Sequence, residues 1–266
     1  ADDAPLYDRP HLTQEEYKAH VAIKPLDDIP ESTDIGADLL KMMASPALAS
    51  RRWIWEQYDS QVGADTCQRS GGDAAVVRVH GTNKGLAITT DCNPRYCKAD
   101  PVEGGKQAIA ETYRNLTAVG ATPLATTDCM NFGNPEKPHI MAQFVGCIGQ
   151  STWLREIHGR EDGATPTVDL DLEKAHGDFV RELIDSEKVT AVHDISDGGL
   201  LVAIAEMALA GNIGASLEEL GDHMTAFGED QARYIVTSAH ADKIQAAGIP
   251  MWRIGTTGGD ALDIQG

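Results

Sequence analysis

The sequence is short of aromatic residues, of positive charge and of long apolar runs, and each shortage excludes something. No apolar stretch approaches the ~20 residues that a membrane-spanning helix needs, and no signal-peptide pattern opens the chain. No membrane is therefore expected as a partner, and the expected location is the cytoplasm. Lys and Arg number 22 against 41 Asp and Glu, a net charge of −19. Phosphate contacts to nucleic acid need clustered cations, so no nucleic-acid partner is expected. Any phosphate must be held locally, by backbone amides, a metal or a few well-placed cations. Aromatics are only 5% of residues, and the Trp53/Trp55 pair reads as core or interface, not as a stacking platform. The five cysteines (Cys67, Cys92, Cys97, Cys129, Cys147) are odd in number and lack CxxC spacing. That excludes a disulfide framework and a zinc pattern, and all five read as reduced thiols.

What is present suffices for one large domain or two ordinary ones: 42% of the 266 residues are hydrophobic. Residues 1–32 are acidic, proline-punctuated and aperiodic, and read as a linker or docking arm. The chain starts at Ala1 without a methionine, as expected if upstream sequence has been removed. A first helix is expected after Asp34, with Ile35, Leu39, Leu40 and Met43 on one face, and Ser45-Pro46 ends it. Residues 49–59 read as a second helix. Strands are expected at 74–79 and 85–90 around Gly81, then a helix over 104–119 with Ile109, Tyr113 and Leu116 on one face. A short strand at 124–126, a helix at 136–145 and another at 151–159 follow. Then come a helix at 172–186, a strand at 189–192, a helix at 200–209 and strands at 233–238 and 252–254. This alternation predicts an α/β or α+β architecture in two parts that divide near residue 149.

Four segments have the residue types for chemistry. In TTDCMNFGNP, Asp128 can hold a cation or a ribose hydroxyl, Asn131 is a further polar group, and Gly133 lets the backbone turn sharply; a plain capped turn is the alternative. Gly104, Gly105 and Lys106 read as opening a helix, where exposed amides and a cation favour an anion; a plain helix entry is the alternative. In HDISDGGL a strand feeds an acidic, glycine-rich turn and then a helix, which suits a metal–phosphate site around Asp194, Gly198 and Gly199. An Asp N-cap with glycines for tight packing is the other reading, and His193 reads as structural. Thr89-Thr90-Asp91-Cys92-Asn93-Pro94 stands at a strand end, a good place to meet a ligand.

Taken together, TTDCNPRYCKADPVEGGKQAIAETYRNLTAVGATPLA, TTDCMNFGNPEKPHIMAQF and VTAVHDISDGGLLVAIAEMALAG resemble the C-terminal half of phosphoribosylformylglycinamidine synthase, large subunit of the small bacterial type. The resemblance runs from about Ala4 to Ala261. It implies a half resembling aminoimidazole ribonucleotide synthetase: a linker and first helix (1–50), an incomplete N-terminal-type sheet domain (51–148) and a C-terminal-type α/β domain (149–266). It implies an ATP-dependent C–N ligase of purine biosynthesis, with ATP or ADP and Mg²⁺ as cofactors. Its partners would be the N-terminal half of the same enzyme, a glutaminase subunit, a small bridging subunit, and formylglycinamide ribonucleotide with ATP. Asp128 would contact ATP, and Asp194 would be the magnesium ligand.

The resemblance also implies losses. Asp91 stands where the other half of the family carries its catalytic histidine, Thr89 where it has a magnesium-binding glutamate, Ala87 where a lysine meets ATP, and Asn115 where an aspartate binds magnesium. No catalytic residue is expected in this half. The alternative is an inert structural or docking module, with or without an auxiliary ADP–magnesium site. Residues 227–234 match a substrate-contacting segment of the other half and are expected to be structural. The family pattern breaks where Cys147-Ile148 runs directly into Gly149-Gln150-Ser151, and several dozen residues, including a Gly-Asn-x-Ser motif, have no counterpart. Their removal would delete strands of the first domain's sheet.

Overall fold

The computed structural model describes residues 8–22, 29–127, 131–145, 166–218, 220–244 and 249–264. Helices α1 (Gln14–Val21) and α2 (Ile35–Met43) come first, then the four-residue α3 (Arg52–Trp55). Three short strands follow: β1 (Thr66–Gln68), β2 (Ala75–Val79) and β3 (Lys84–Ile88). They form one antiparallel sheet in the order β1-β2-β3. Helices α4 (Tyr96–Ala99), α5 (Pro101–Ala118) and α6 (Pro138–Val145) complete the first part.

The second part contains α7 (Leu170–Asp185), β4 (Ala191–Asp194), α8 (Gly199–Gly211), β5 (Ala215–Leu217), α9 (His223–Phe227), β6 (Tyr234–Thr237), β7 (Gly255–Thr257) and β8 (Leu262–Ile264). Strands β4 and β6 pair antiparallel, with His193 opposite Ile235. Strand β5 lies between β7, antiparallel, and β8, parallel. None of the described helices is long and apolar enough to cross a membrane.

Short polar side chains fix where the helices begin. Thr13 and Glu16 form a reciprocal capping box on α1, and Asp34, Asp100, Asp169 and Asp222 cap α2, α5, α7 and α9. Each carboxylate or hydroxyl accepts from an amide that the helix itself leaves unpaired. Helix α8 is entered through Gly198 with no side-chain cap, and the single-turn helices α3 and α4 also lack one.

The main core lies in the second part. Leu201, Val202 and Ile204 of α8 pack with Leu39 and Met42 of α2, Leu217 of β5 and Phe227 of α9. Helix α2 is thus integral to this core. The three-stranded sheet is different: Val77 and Leu86 are directly opposed, as are Ala75 and Ile88, so they share one face. Leu86 and Ile88 on that face are 55% and 63% exposed.

Several expectations change. The arm over 1–32 contains the capped helix α1, with Tyr17 buried and its hydroxyl donating to the Lys98 carbonyl. Residues 124–126 form no strand, and Leu124 lies open to solvent. The second-helix expectation shrinks to the single turn α3, whose Trp53 and Trp55 are exposed and not core. The strand expected at 252–254 forms instead at β7, before a turn through Gly258 and Gly259 at positive φ. On α5, Ile109 is exposed and the buried face is Gln107, Ala110, Arg114 and Thr117, because charge pairing, not apolar contact, holds that face inward. The helix expected at 151–159 lies outside the described residues.

Candidate functional site

The site is the turn from β4 into α8. Gly198 and Gly199 sit at φ +85° and +76°, where a Cβ is strained. A Cβ on Gly199 would also come within 2.5 Å of the Phe227 carbonyl carbon, and one on Gly198 within 2.6 Å of Val202 Cγ2. The turn is therefore closed tightly against the end of α9. The Gly198 N–H donates to Glu229 Oε1 at 2.8 Å. Glu229 is buried, and its other oxygen accepts from the Tyr96 hydroxyl. A helix N-terminus attracts an anion through its free amides and dipole. Here the chain's own carboxylate takes that place.

A second occupied position lies at Asp194, the last residue of β4. Arg114 of α5, fully buried, donates from Nε to Asp194 Oδ2 at 3.3 Å and from Nη1 to Glu173 Oε1 at 2.7 Å. The same Glu173 oxygen accepts from the Ala232 amide, and Arg114 also reaches Gln231. Burial raises the Asp194 carboxyl to about 6, while Arg114 and His193 oppose the rise. For His193, burial disfavours its charge, but hydrogen bonds to Asp73 and Glu206 outweigh it and hold the imidazole up to about 10. His193 is thus an imidazolium clamped between Asp73, in the loop before β2, and Glu206 of α8.

Asp73, His193 and Asp194 bring one ligand atom each within 4.8 Å of one another. The donor set does not fit magnesium as it stands. Magnesium takes oxygen ligands, whereas one donor here is a protonated imidazole, and the Arg114 guanidinium already neutralises Asp194.

Three of the four positions that the resemblance matches to site groups of the other half come together. Asn115 Nδ2 donates to Thr89 Oγ1 at 3.3 Å and to Asp91 Oδ2 at 3.1 Å. Burial raises the Asp91 carboxyl, and burial together with the neighbouring Asp91 charge pushes Glu111 well above the usual carboxylate range. Burial and the mutual repulsion of Asp91 and Glu111 thus act in the same direction, against both carboxylates being charged. Asn93 Nδ2 donates to Asp197 Oδ1 at 2.5 Å and so ties this loop to the glycine turn.

Other expected site residues fall elsewhere. Gly104 and Gly105 do not open a helix: α5 begins at Pro101, and the Asp100 carboxylate accepts from the Val102 and Glu103 amides. The Gly104 amide donates to the Asp100 carbonyl, and Lys106 pairs with Glu103. The exposed amides expected there are therefore already used. Gly133 is not in the left-handed region, and a Cβ there meets Ile140 at an ordinary 3.7 Å, so no sharp turn needs it. Asn131 is exposed beside it, and Asp128 lies outside the described residues.

Sequence reasoning missed Arg114, Glu173, Glu111, Asp73 and Glu229. One signal was available for the first: Gln107, Ala110, Arg114 and Thr117 recur at helical spacing, a polar stripe on a helix whose apolar stripe is weak.

Two family descriptions match the chain. AIR synthase related protein, N-terminal domain, matches residues 71–152, and AIR synthase related protein, C-terminal domain, matches residues 141–264. The subunit PurL of phosphoribosylformylglycinamidine synthase from Novosphingobium aromaticivorans is 48% identical over 336 positions, covering 98% of this chain and 46% of that protein. The PurL subunits of Zymomonas mobilis and Rhodopseudomonas palustris (strain ATCC BAA-98 / CGA009) are 47% and 46% identical, covering 98% and 100% of this chain and 46% of each relative. Setting 336 aligned positions against 266 residues leaves at least 70 positions of the first relative without a counterpart here. A solved structure described as T. maritima PurL complexed with FGAR shares the fold, with a TM-score of 0.54 at 14% identity over 85% of this chain and 48% of that one. The chain belongs to the phosphoribosylformylglycinamidine synthase PurL-subunit family and spans about half the length of the curated relatives it matches.

Proposed function

We propose that this chain is the C-terminal half of an ATP-dependent ligase that converts formylglycinamide ribonucleotide to formylglycinamidine ribonucleotide. In that reaction ATP activates the amide oxygen, and ammonia from a glutaminase partner displaces phosphate. This half contributes to the nucleotide site without carrying the acid–base group. The observation that carries the reading is double occupancy by the chain's own side chains: Glu229 on the N-cap amide of Gly198 before α8, and Arg114 on Asp194. A turn so filled, beside Asp91, Thr89, Ala87 and Asn115 at the degenerate positions, supports a half that runs no chemistry itself.

Nucleotide contact then falls to the TTDCMNFGNP loop, with Asp128 as the contacting residue and Asn131 and Gly133 beside it. The proposed domain division is at 148–149, and the two family matches, which overlap over residues 141–152, support a division in that stretch. The exposed apolar face of β2 and β3 supports the N-terminal half as its cover, since a contiguous apolar patch left open marks an interaction surface. The glutaminase and the small bridging subunit are further partners, with no surface assigned to them. The cytoplasm is the proposed location.

An auxiliary ADP–magnesium site, with Asp194 as metal ligand and Gly198 and Gly199 at the phosphates, would have to displace Glu229 and Arg114. The filled turn favours a docking module with no nucleotide there. Calorimetric titration of this chain with ADP and Mg²⁺ tests it: no heat and no Tm shift are expected, and saturable binding lost in Asp194→Asn would reinstate the auxiliary site. The ligase reading itself is tested in the full-length protein, where Asp128→Ala is expected to raise KM for ATP or lower kcat/KM. Unchanged kinetics would remove Asp128 from the nucleotide site.

A further inference from the structure

The loop leaving β3 brings two sulfurs together. Cys92 and Cys97 Sγ lie 3.3 Å apart. Asn93 sets the loop between them: its side-chain oxygen accepts from the Arg95 and Tyr96 amides, and its carbonyl accepts from the Cys97 amide at 2.9 Å. The two thiols are thus held by a preformed turn. Their exposures differ in the useful sense, since Cys92 is open to solvent and Cys97 is buried behind it. The hydrogen bond between the thiols lowers Cys92 to about 7, against burial and the nearby charges of Asp91 and Asp197, so much of it is thiolate near neutral pH.

We propose that Cys92 and Cys97 are an oxidisable dithiol: a modification site at which a hydroperoxide attacks Cys92 and Cys97 resolves it to an intramolecular disulfide. The Cys92 thiolate attacks one peroxide oxygen, the O–O bond breaks, and the departing oxygen takes a proton to leave as water or an alcohol. Cys92 is then a sulfenic acid. The Cys97 sulfur attacks that sulfur, the S–O bond breaks, and hydroxide leaves as water with the Cys97 proton. Two thiols lose two electrons, and the peroxide gains them. A thiol reductant reverses the product. Because Asn93 also holds Asp197, the disulfide forms where the first part's loop is tied to the glycine turn.

Cys67 provides an internal comparison, being exposed with its sulfur against the Asp65 carbonyl at 3.8 Å. The experiment treats the reduced chain with near-stoichiometric hydrogen peroxide, alkylates the remaining thiols and maps the peptides by mass. A Cys92–Cys97 linked peptide, lighter by about 2 Da than the dithiol form and reversed by dithiothreitol, is the expected product. Cys97→Ser should stop at a sulfenic acid on Cys92 that dimedone captures. The proposal is overturned if Cys92 and Cys97 stay alkylatable while Cys67 oxidises, or if either bonds another cysteine instead. The map of the unsubstituted chain decides this even if Cys97→Ser fails to fold.

Discussion

Arg114 of α5 and Asp194 of β4 meet at 3.3 Å with their side chains 0% and 2% exposed. The contact ties a helix of the first part to a strand of the second, and Glu173 of α7 joins it at 2.7 Å. Burying three charges is costly. One guanidinium serves both carboxylates, the Ala232 amide and Gln231 add hydrogen bonds, and Arg114 Nη2 and Glu173 Oε2 are left without a partner among the described residues.

Removing the cation alone should therefore be severe. Arg114→Ala leaves Glu173 buried without a counter-charge and Asp194 with only His193, at 3.7 Å, and a loss of about 3–5 kcal/mol is expected from urea unfolding. Arg114→Met combined with Glu173→Gln and Asp194→Asn should recover most of it. A small effect of Arg114→Ala would mean that the guanidinium is not what neutralises the pair.

Two of the glycines singled out in the sequence should separate cleanly. Gly199→Ala meets both a left-handed backbone and the Phe227 carbonyl carbon, and should cost roughly 1–3 kcal/mol. Gly133→Ala has room and an ordinary backbone, so it should stay within about 0.5 kcal/mol. Thermal melts of both variants check this; equal losses would contradict the packing at the α8 entrance.

The His193 clamp has a pH signature. Its folded pKa of about 10 lies above the ordinary 6.5, so its contribution is full below 6.5 and is lost as pH rises toward 10. Asp194, raised from 3.8 to about 6, favours the folded state in the same sense, with that contribution lost over the lower window. Wild-type stability should fall between pH 6.5 and 10 more steeply than that of His193→Gln, each pKa unit being worth about 1.4 kcal/mol. Parallel denaturant curves for the two proteins across that range would rule the clamp out.

In the full-length protein, Asp91→Ala should leave turnover nearly intact. Asp91 accepts from Asn115, and its carboxyl is raised by burial beside Glu111, whose own carboxyl burial and the Asp91 charge push up. A large loss of kcat would show that this half does carry acid–base chemistry.

The family, the two-part α/β organisation and most of the long helices were legible in the sequence, because they are local. An Asp before a run of apolar residues, as at Asp34, marks a helix start by a contact spanning three residues, whereas the Asp169 cap, before a mixed run, places α7 two residues earlier than expected. The glycines of HDISDGG announced a tight turn for the same reason. The short strands β1, β5 and β8 were not legible, since three residues carry no period and depend on partners far along the chain. Nor was the helix in the arm, whose apolar face is a single buried tyrosine.

What occupies the glycine turn was settled by tertiary structure alone. The sequence determined that an acidic, glycine-rich turn enters a helix and could hold an anion or a cation. It could not show that Glu229, 31 residues from Gly198, supplies the anion, or that Arg114, 80 residues from Asp194, supplies the cation. Charges separated by such stretches of chain meet only when the fold closes. Their buried electrostatics then fix whether the turn remains open to a ligand.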